Sequence, residues 1–243
     1  MKRIILFVVL GLLMMLCGRG GMLYAQDAAA DLKRVSAFYR EHVSYSQQME
    51  IKTYKQYTDK TPFDVQSGEL IKKGDLLYTR QGGVEQIRNR EYMLSVNNTK
   101  KTIVMLQRKV SGTFDFSKVN YDSLLRFCQS VVYHPMGEDK ASYALSFRGE
   151  EYSMITLVFD KKSFRITGVE YILAERSFQN EDGTYAAYKS KMKITYSDFK
   201  PGVSYPDDYF SYKRFLVRQS GNRYVCTPAY RGYSFVNQNQ LPH

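Results

Sequence analysis

The chain has 243 residues, of which 44% are hydrophobic and 14% aromatic, with 21 Tyr, 14 Phe and no Trp. Its formal charge is +11, from 35 Lys and Arg against 24 Asp and Glu. That length can bury a sizeable core without staples, as one large or two small domains. No H-x-x-x-H or C-x-x-C spacing occurs, which excludes the usual zinc sites, and no P-loop or G-x-G-x-x-G is present.

The chain opens with Lys2 and Arg3, an apolar run over Ile4–Cys17, and then Leu23-Tyr24-Ala25. This is the pattern of a secretory signal peptide, residues 1–25, cleaved near Ala25. The run is shorter than the roughly 20 residues a spanning helix needs. Leu16 is too bulky to precede a lipidated cysteine at Cys17. Export predicts a periplasmic location and argues against nucleic acid as a partner. Removing residues 1–25 lowers the formal charge from +11 to +8. Lys72-Lys73, Lys100-Lys101, Arg108-Lys109, Lys161-Lys162 and Lys213-Arg214 are basic doublets at strand ends. They read as solvated rims that blunt sheet edges, or as attraction to anionic envelope surfaces. Cys128 and Cys226 remain after cleavage and are open to two readings, a disulfide or two buried thiols.

Asp27–Ser44 reads as a helix, with Leu32, Val35, Phe38, Tyr39 and His42 near one face. Gln47–Tyr57 alternates as a strand. Short strands follow at Leu70–Lys72, Leu76–Arg80, Val84–Arg88, Tyr92–Val96 and Thr102–Arg108, divided by hairpin turns at Lys73-Gly74-Asp75, Gln81-Gly82-Gly83 and Asn97-Asn98. Asp115–Tyr133 reads as a second helix with an apolar face of Leu124, Leu125, Phe127, Cys128, Val131 and Val132. Tyr143–Arg148, Ser153–Asp160 and Arg165–Ala174 form a meander, and Tyr188–Ser197 is a further strand. Phe215–Val225 reads as a hairpin around Ser220-Gly221-Asn222, and Tyr230–Asn237 as an edge strand. Many antiparallel strands with two helices predict an α+β fold: a strongly curved antiparallel sheet or half-open β-barrel, with the helices on its concave side. Alternation predicts that Leu94, Ile155, Leu157, Phe159, Val169, Tyr171 and Ile194 point into that concavity, with Ser95, Thr156, Glu170 and Thr195 on the other face.

Three segments carry a resemblance. Lys193–Tyr212, KITYSDFKPGVSYPDDYFSY, reads as a strand, a Pro201-Gly202 stop and a Pro206-started helical turn delivering Phe210. It resembles the C-terminal signature of the LolA-like family of periplasmic outer-membrane lipoprotein carriers and sorting proteins, where a strand leads into V-x-L/Y-P-D-x-x-F. Gly68–Tyr78 resembles that family's G-x-L-x-x-K-R-P-x-x-F hairpin, and Asn89–Thr99 the strand and turn after it. The resemblance runs from about Leu32 to Phe210. It implies a single LolA-like domain over residues 26–243, with 213–243 as a C-terminal extension, and a hollow half-open barrel. The family hairpin also has an Arg that ties sheet to helical lid. Here the Lys is matched by Lys73, but the next positions are Gly74 and Asp75.

Catalysis finds little support. His42, His134 and His243 lie in separate elements, and Glu150-Glu151 and Asp207-Asp208 are adjacent pairs in turns, not acids flanking a cleft. Cys128 and His134 have no third orienting group. The chain is expected to be non-enzymatic, without metal or cofactor. The resemblance implies a carrier for a lipid or acylated, lipoprotein-like guest held by the seven inward residues. The alternative is a structural or interaction component of an envelope assembly, with partners at the membrane surface or among envelope proteins and the concavity filled by the chain's own side chains.

Overall fold

The computed structural model describes residues 20–106, 116–149, 151–179, 185–220 and 223–238. The basic start and apolar run of the expected signal peptide lie outside them. In chain order the first elements are α1 (Gly20–Glu41), β1 (Ser44–Tyr54), β2 (Asp64–Lys73), β3 (Leu76–Gln81), β4 (Val84–Arg88), β5 (Met93–Asn97) and β6 (Thr102–Leu106). Then come α2 (Tyr121–Phe127), β7 (Cys128–Met136), β8 (Lys140–Phe147), β9 (Tyr152–Asp160), β10 (Ile166–Leu173), β11 (Arg176–Gln179) and β12 (Tyr185–Tyr188). The last are β13 (Lys191–Pro201), β14 (Leu216–Arg218), β15 (Tyr224–Cys226) and β16 (Ser234–Asn237). No helix among the described residues is long and apolar enough to cross a membrane.

The Cα packing separates into two compact units. Unit 1 comprises residues up to Phe38 with Phe116–Lys189, and unit 2 comprises Tyr39–Asp115 with Ser190–His243. Their ladders are antiparallel, except that β16 runs parallel to β6. The strands lie in linear order, β10-β9-β8-β7 in unit 1 and β16-β6-β5-β4-β3-β2-β1-β13 in unit 2, and neither set closes into a barrel. This is the α+β, antiparallel architecture expected.

In unit 1, Ala28, Leu32 and Val35 are fully buried at the i, i+4, i+7 spacing of one helix face. The Tyr143 hydroxyl donates to Asp31 Oδ2 at 2.9 Å, so α1 lies over the sheet face that carries Tyr143. Ser36 Oγ donates to the Ser117 carbonyl at 3.3 Å, and Lys33 meets Asp122 at 3.2 Å, both reaching into the chain around α2.

The second helix is shorter than expected. Asn120 Oδ1 accepts from Ser123 N at 3.0 Å, capping α2, and the helix ends at Phe127. Cys128, Val131, Val132 and Tyr133 lie on strand β7, not on a helix. Two consecutive β-branched residues and a tyrosine favour the pleated conformation, and pairing with β8 fixes it. Phe127, placed by sequence on an apolar helix face, is 77% exposed. Cys128 and His134 thus stand six strand residues apart, roughly 20 Å. Burial also pushes the Cys128 thiol up, away from the reactive thiolate.

Unit 2 changes its buried face across the sheet. Ser46, Ile71, Tyr78, Ile87, Leu94 and Met105 are successive cross-strand partners and form one buried row on what we call face A. On β1 Tyr45, Met49 and Ile51 are instead buried on the other side, face B, while Tyr54 at the strand end has the opposite parity. Face A is covered by the chain after β13. Phe210, Phe215 and Leu216 are buried in its core, with Tyr205, Tyr209, Tyr212, Tyr224, Tyr230, Tyr233 and Phe235 packed around it.

One polar knot sits in this layer. Glu85, its side chain 12% exposed, accepts from the Tyr78 hydroxyl at 2.9 Å and Asn98 Nδ2 at 3.1 Å, and meets Arg214 Nη2 at 3.5 Å. Arg214 Nη1 donates to the Tyr209 carbonyl at 3.2 Å, and its guanidinium lies over the rings of Tyr209 and Phe215. Burial, with Glu85 beside it, pushes the Tyr78 phenol far above its ordinary value. Arg214→Ala leaves a nearly buried carboxylate with neutral donors only. We expect it to cost about 3 kcal/mol in urea unfolding, with Arg214→Lys recovering little because the stacked fork is lost.

Candidate functional site

The three segments that carried the resemblance meet in unit 2. Lys73 Nζ donates to Asp207 Oδ1 at 2.7 Å and to the Tyr205 carbonyl at 2.9 Å, joining the β2–β3 hairpin to the Pro-Asp turn. Arg90 pairs with Asp75, joining that hairpin to the β4–β5 turn. Asn89 Oδ1 accepts from Glu91 N and Tyr92 N, both at 2.9 Å, which shapes the turn. The Tyr92 hydroxyl then accepts from Tyr212 N at 3.0 Å and donates to the Phe210 carbonyl at 3.4 Å. Gly74 and Asp75, which stand at the Arg and Pro positions of the resembled hairpin, are a positive-φ turn glycine and the partner of Arg90.

The seven residues predicted to line the concavity do not form one set. In unit 1 the ladder β8–β9–β10 pairs Leu145 with Ile155 and Tyr171, and Tyr143 with Leu157 and Val169, and Phe159 faces Ala141. Ile155, Leu157, Phe159, Val169 and Tyr171 therefore share one face, the one under α1. Thr156 and Glu170 share the other. Leu157 is 0% exposed, Phe159 and Val169 1%, and Ile155 8%; Tyr171 is half-buried. In unit 2, Ile194 pairs with Ile51 and so lies on face B, while Leu94 lies on face A beneath the aromatic layer. Alternation along one strand gives parity, but only the ladder tells which parities share a face. This is why Leu94 and Ile194 separate.

Face B holds the arrangement that sequence reasoning missed. Leu70, Leu77, Met93, Val104 and Leu106 lie on it by register and are half-buried, as is Ile194. At its β1 end sits Gln47, 1% exposed, opposite Leu70. Neither Nε2 nor Oε1 of Gln47 has a hydrogen-bond partner among the described residues. A buried amide with both a donor and acceptors unmet is rare and unfavourable. The sequence carried one signal for it: Gln47 interrupts the apolar parity Tyr45, Met49, Ile51. The Tyr39 and Phe199 rings pack on Tyr45, with centroids 5.7 and 5.0 Å away, and His42 stands edge-on to Phe199. Cys128 and Cys226 are free thiols.

No family model matches the chain, and no curated protein matches it. Among solved structures it is similar to a LolA superfamily protein from Nitrosomonas europaea, with 16% identity over 76% of this chain and 97% of that one, TM-score 0.39. It is also similar to an uncharacterised conserved protein from Thermus thermophilus, with 11% identity, 87% and 99% coverage and TM-score 0.46. A third is a putative outer membrane lipoprotein-sorting protein domain from Vibrio parahaemolyticus, with 13% identity, 78% and 98% coverage and TM-score 0.40.

Two outcomes are expected. Gln47→Leu removes an unsatisfied amide at similar volume and should raise urea stability by about 1–3 kcal/mol, whereas a core glutamine with hidden partners would lose stability. Burial also pushes the Tyr171 phenol up to about 12. A raised phenol favours the neutral folded form, so its contribution is complete below pH about 10 and falls away as pH rises through about 12. Tyr171→Phe should flatten part of the stability loss in that window, read by circular dichroism.

Proposed function

We propose that the chain is an exported, non-enzymatic binding protein of the cell envelope, holding a lipid or acylated polypeptide against face B of unit 2. The observation that carries this reading is the combination on one face of half-buried Leu70, Leu77, Met93, Val104 and Leu106 with the unsatisfied amide of Gln47. An acyl chain gains from the apolar part, and an amide or ester near it supplies a polar partner for Gln47. Guest contact by Ile155, Leu157, Phe159, Val169 and Tyr171 would instead require α1 to lift, breaking the Tyr143–Asp31 bond. Leu94 serves the fold under its aromatic cover. A second reading, a scaffold component of an envelope assembly, draws on face A, which the chain fills with its own aromatic side chains.

A fluorescent fatty-acyl probe tests the first. Each buried methylene is worth about 0.8 kcal/mol, so a chain of about ten gains roughly 8 kcal/mol before ordering costs, which places binding in the micromolar range. Met93→Asp, at a half-buried position where the fold tolerates change better than at Leu157, should weaken binding more than roughly tenfold. Lys161→Glu, in the turn after β9, should leave it unchanged. A folded wild-type protein that takes up neither the probe nor an acylated peptide rejects the carrier reading and leaves the scaffold.

A further inference from the structure

The β1–β2 loop and the start of β2 present apolar side chains to water on a braced backbone. Phe63 is 58% exposed, Val65 50% and Tyr57 46%. Yet Phe63 N donates to the Thr53 carbonyl at 2.9 Å and Asp59 N to the Gln56 carbonyl at 3.1 Å. Asp59 Oδ2 accepts from Gln56 N at 2.9 Å, and Lys191 Nζ donates to the Asp59 carbonyl at 3.1 Å. The exposure of Phe63 is therefore imposed by a fixed loop.

The charges around the loop are sorted. Asp59 turns inward to cap its own turn, and Asp64 accepts from Gln66 Nε2 at 2.6 Å. Lys55 and Lys60 are exposed on the loop. Beside it, Val65, Lys52 and Lys193 are successive cross-strand partners, so an exposed valine adjoins two facing lysines. Glu50 pairs with Lys52 at 2.6 Å, which leaves Lys193 opposite a lysine already engaged. Glu50 compensates the Lys52 charge, and the exposed Lys193 beside it presents its own charge to an anionic surface. Exposed aromatic and apolar groups ringed by lysines are the chemistry of a membrane interface.

We propose that this loop, with the Val65–Lys52–Lys193 row, docks the protein on an anionic lipid bilayer, Phe63 entering the headgroup boundary and the lysines meeting the headgroups. The inference stands apart from the guest proposed for face B.

Because the chain has no Trp, Phe63→Trp gives the full-length protein a single reporter at the loop. With vesicles of phosphatidylcholine and phosphatidylglycerol, its emission should shift to the blue and be quenched by lipids brominated along the acyl chains. Vesicles of phosphatidylcholine alone should leave it unchanged, and high salt should reverse the shift. Adding Lys55→Gln and Lys60→Gln should weaken vesicle affinity about twenty-five-fold, each lysine near an anionic surface being worth roughly fivefold. Val217→Trp, on the C-terminal hairpin, should show no shift. The proposal is overturned if the protein floats with anionic vesicles and the Phe63→Trp emission does not move. It is also overturned if no flotation occurs, if phosphatidylcholine alone gives the same shift, or if Val217→Trp responds equally.

Discussion

A strand has two faces and a period of two, and unit 2 spends that freedom unevenly. Over most of β1 the buried apolar parity is odd, at Tyr45, Met49 and Ile51, and only Tyr54 at its end is even. From β2 onward the buried row Ile71–Tyr78–Ile87–Leu94–Met105 lies on the opposite face. No single cover can exclude water from both. Tyr39 and Phe199 pack over Tyr45 at one end, and the chain beyond β13 covers the other. The C-terminal residues, which sequence set apart as an extension, therefore supply Phe215 and Leu216 to the core of unit 2 and pack Tyr224, Tyr230, Tyr233 and Phe235 around it.

Much of this architecture was legible beforehand. The hairpins between β2 and β6 follow from turn chemistry, with Gly74 and Gly82 at positive φ where the turns require it. Asn89 and Asn97 accept from backbone amides within their own turns. The three family-like segments proved to be one mechanical unit through Lys73–Asp207, Arg90–Asp75 and Tyr92–Phe210. That was not readable, because a motif gives residue types in order while these bonds join positions up to 134 residues apart.

The misread element shows where local pattern fails. Leu124, Leu125, Cys128, Val131 and Val132 fit a helical stripe as well as any. The competing signals were a good cap at Asn120 followed by Val-Val-Tyr, which together suit a short helix running straight into a strand. Periodicity cannot separate these over ten residues; pairing with β8 does. The site suffered from the same kind of gap. Five of the seven inward residues share a face because one meander carries them, but parity alone could not relate Leu94 to Ile194 across β2–β5.

The two faces also differ in what their side chains do besides filling space. The segment over face A is short 3-10 turns and a small hairpin, so many of its backbone groups have no regular ladder. Phenols meet that need: the Tyr92 hydroxyl serves both Tyr212 N and the Phe210 carbonyl while its ring stays buried. A wall built this way is specific, since the Tyr78, Tyr92 and Tyr233 rings are placed by hydrogen bonds as well as by contact. Face B instead alternates leucine, methionine and valine with Lys72, Thr79, Gln86, Arg88 and Ser95, and its apolar members carry no such obligations and repack around a changing neighbour at little cost. Gln47 and Lys72 are both buried on face B, and the Gln47 amide has no hydrogen-bond partner among the described residues. Rings fixed by phenol hydrogen bonds on face A and one unmet amide on face B thus divide across a single set of strands.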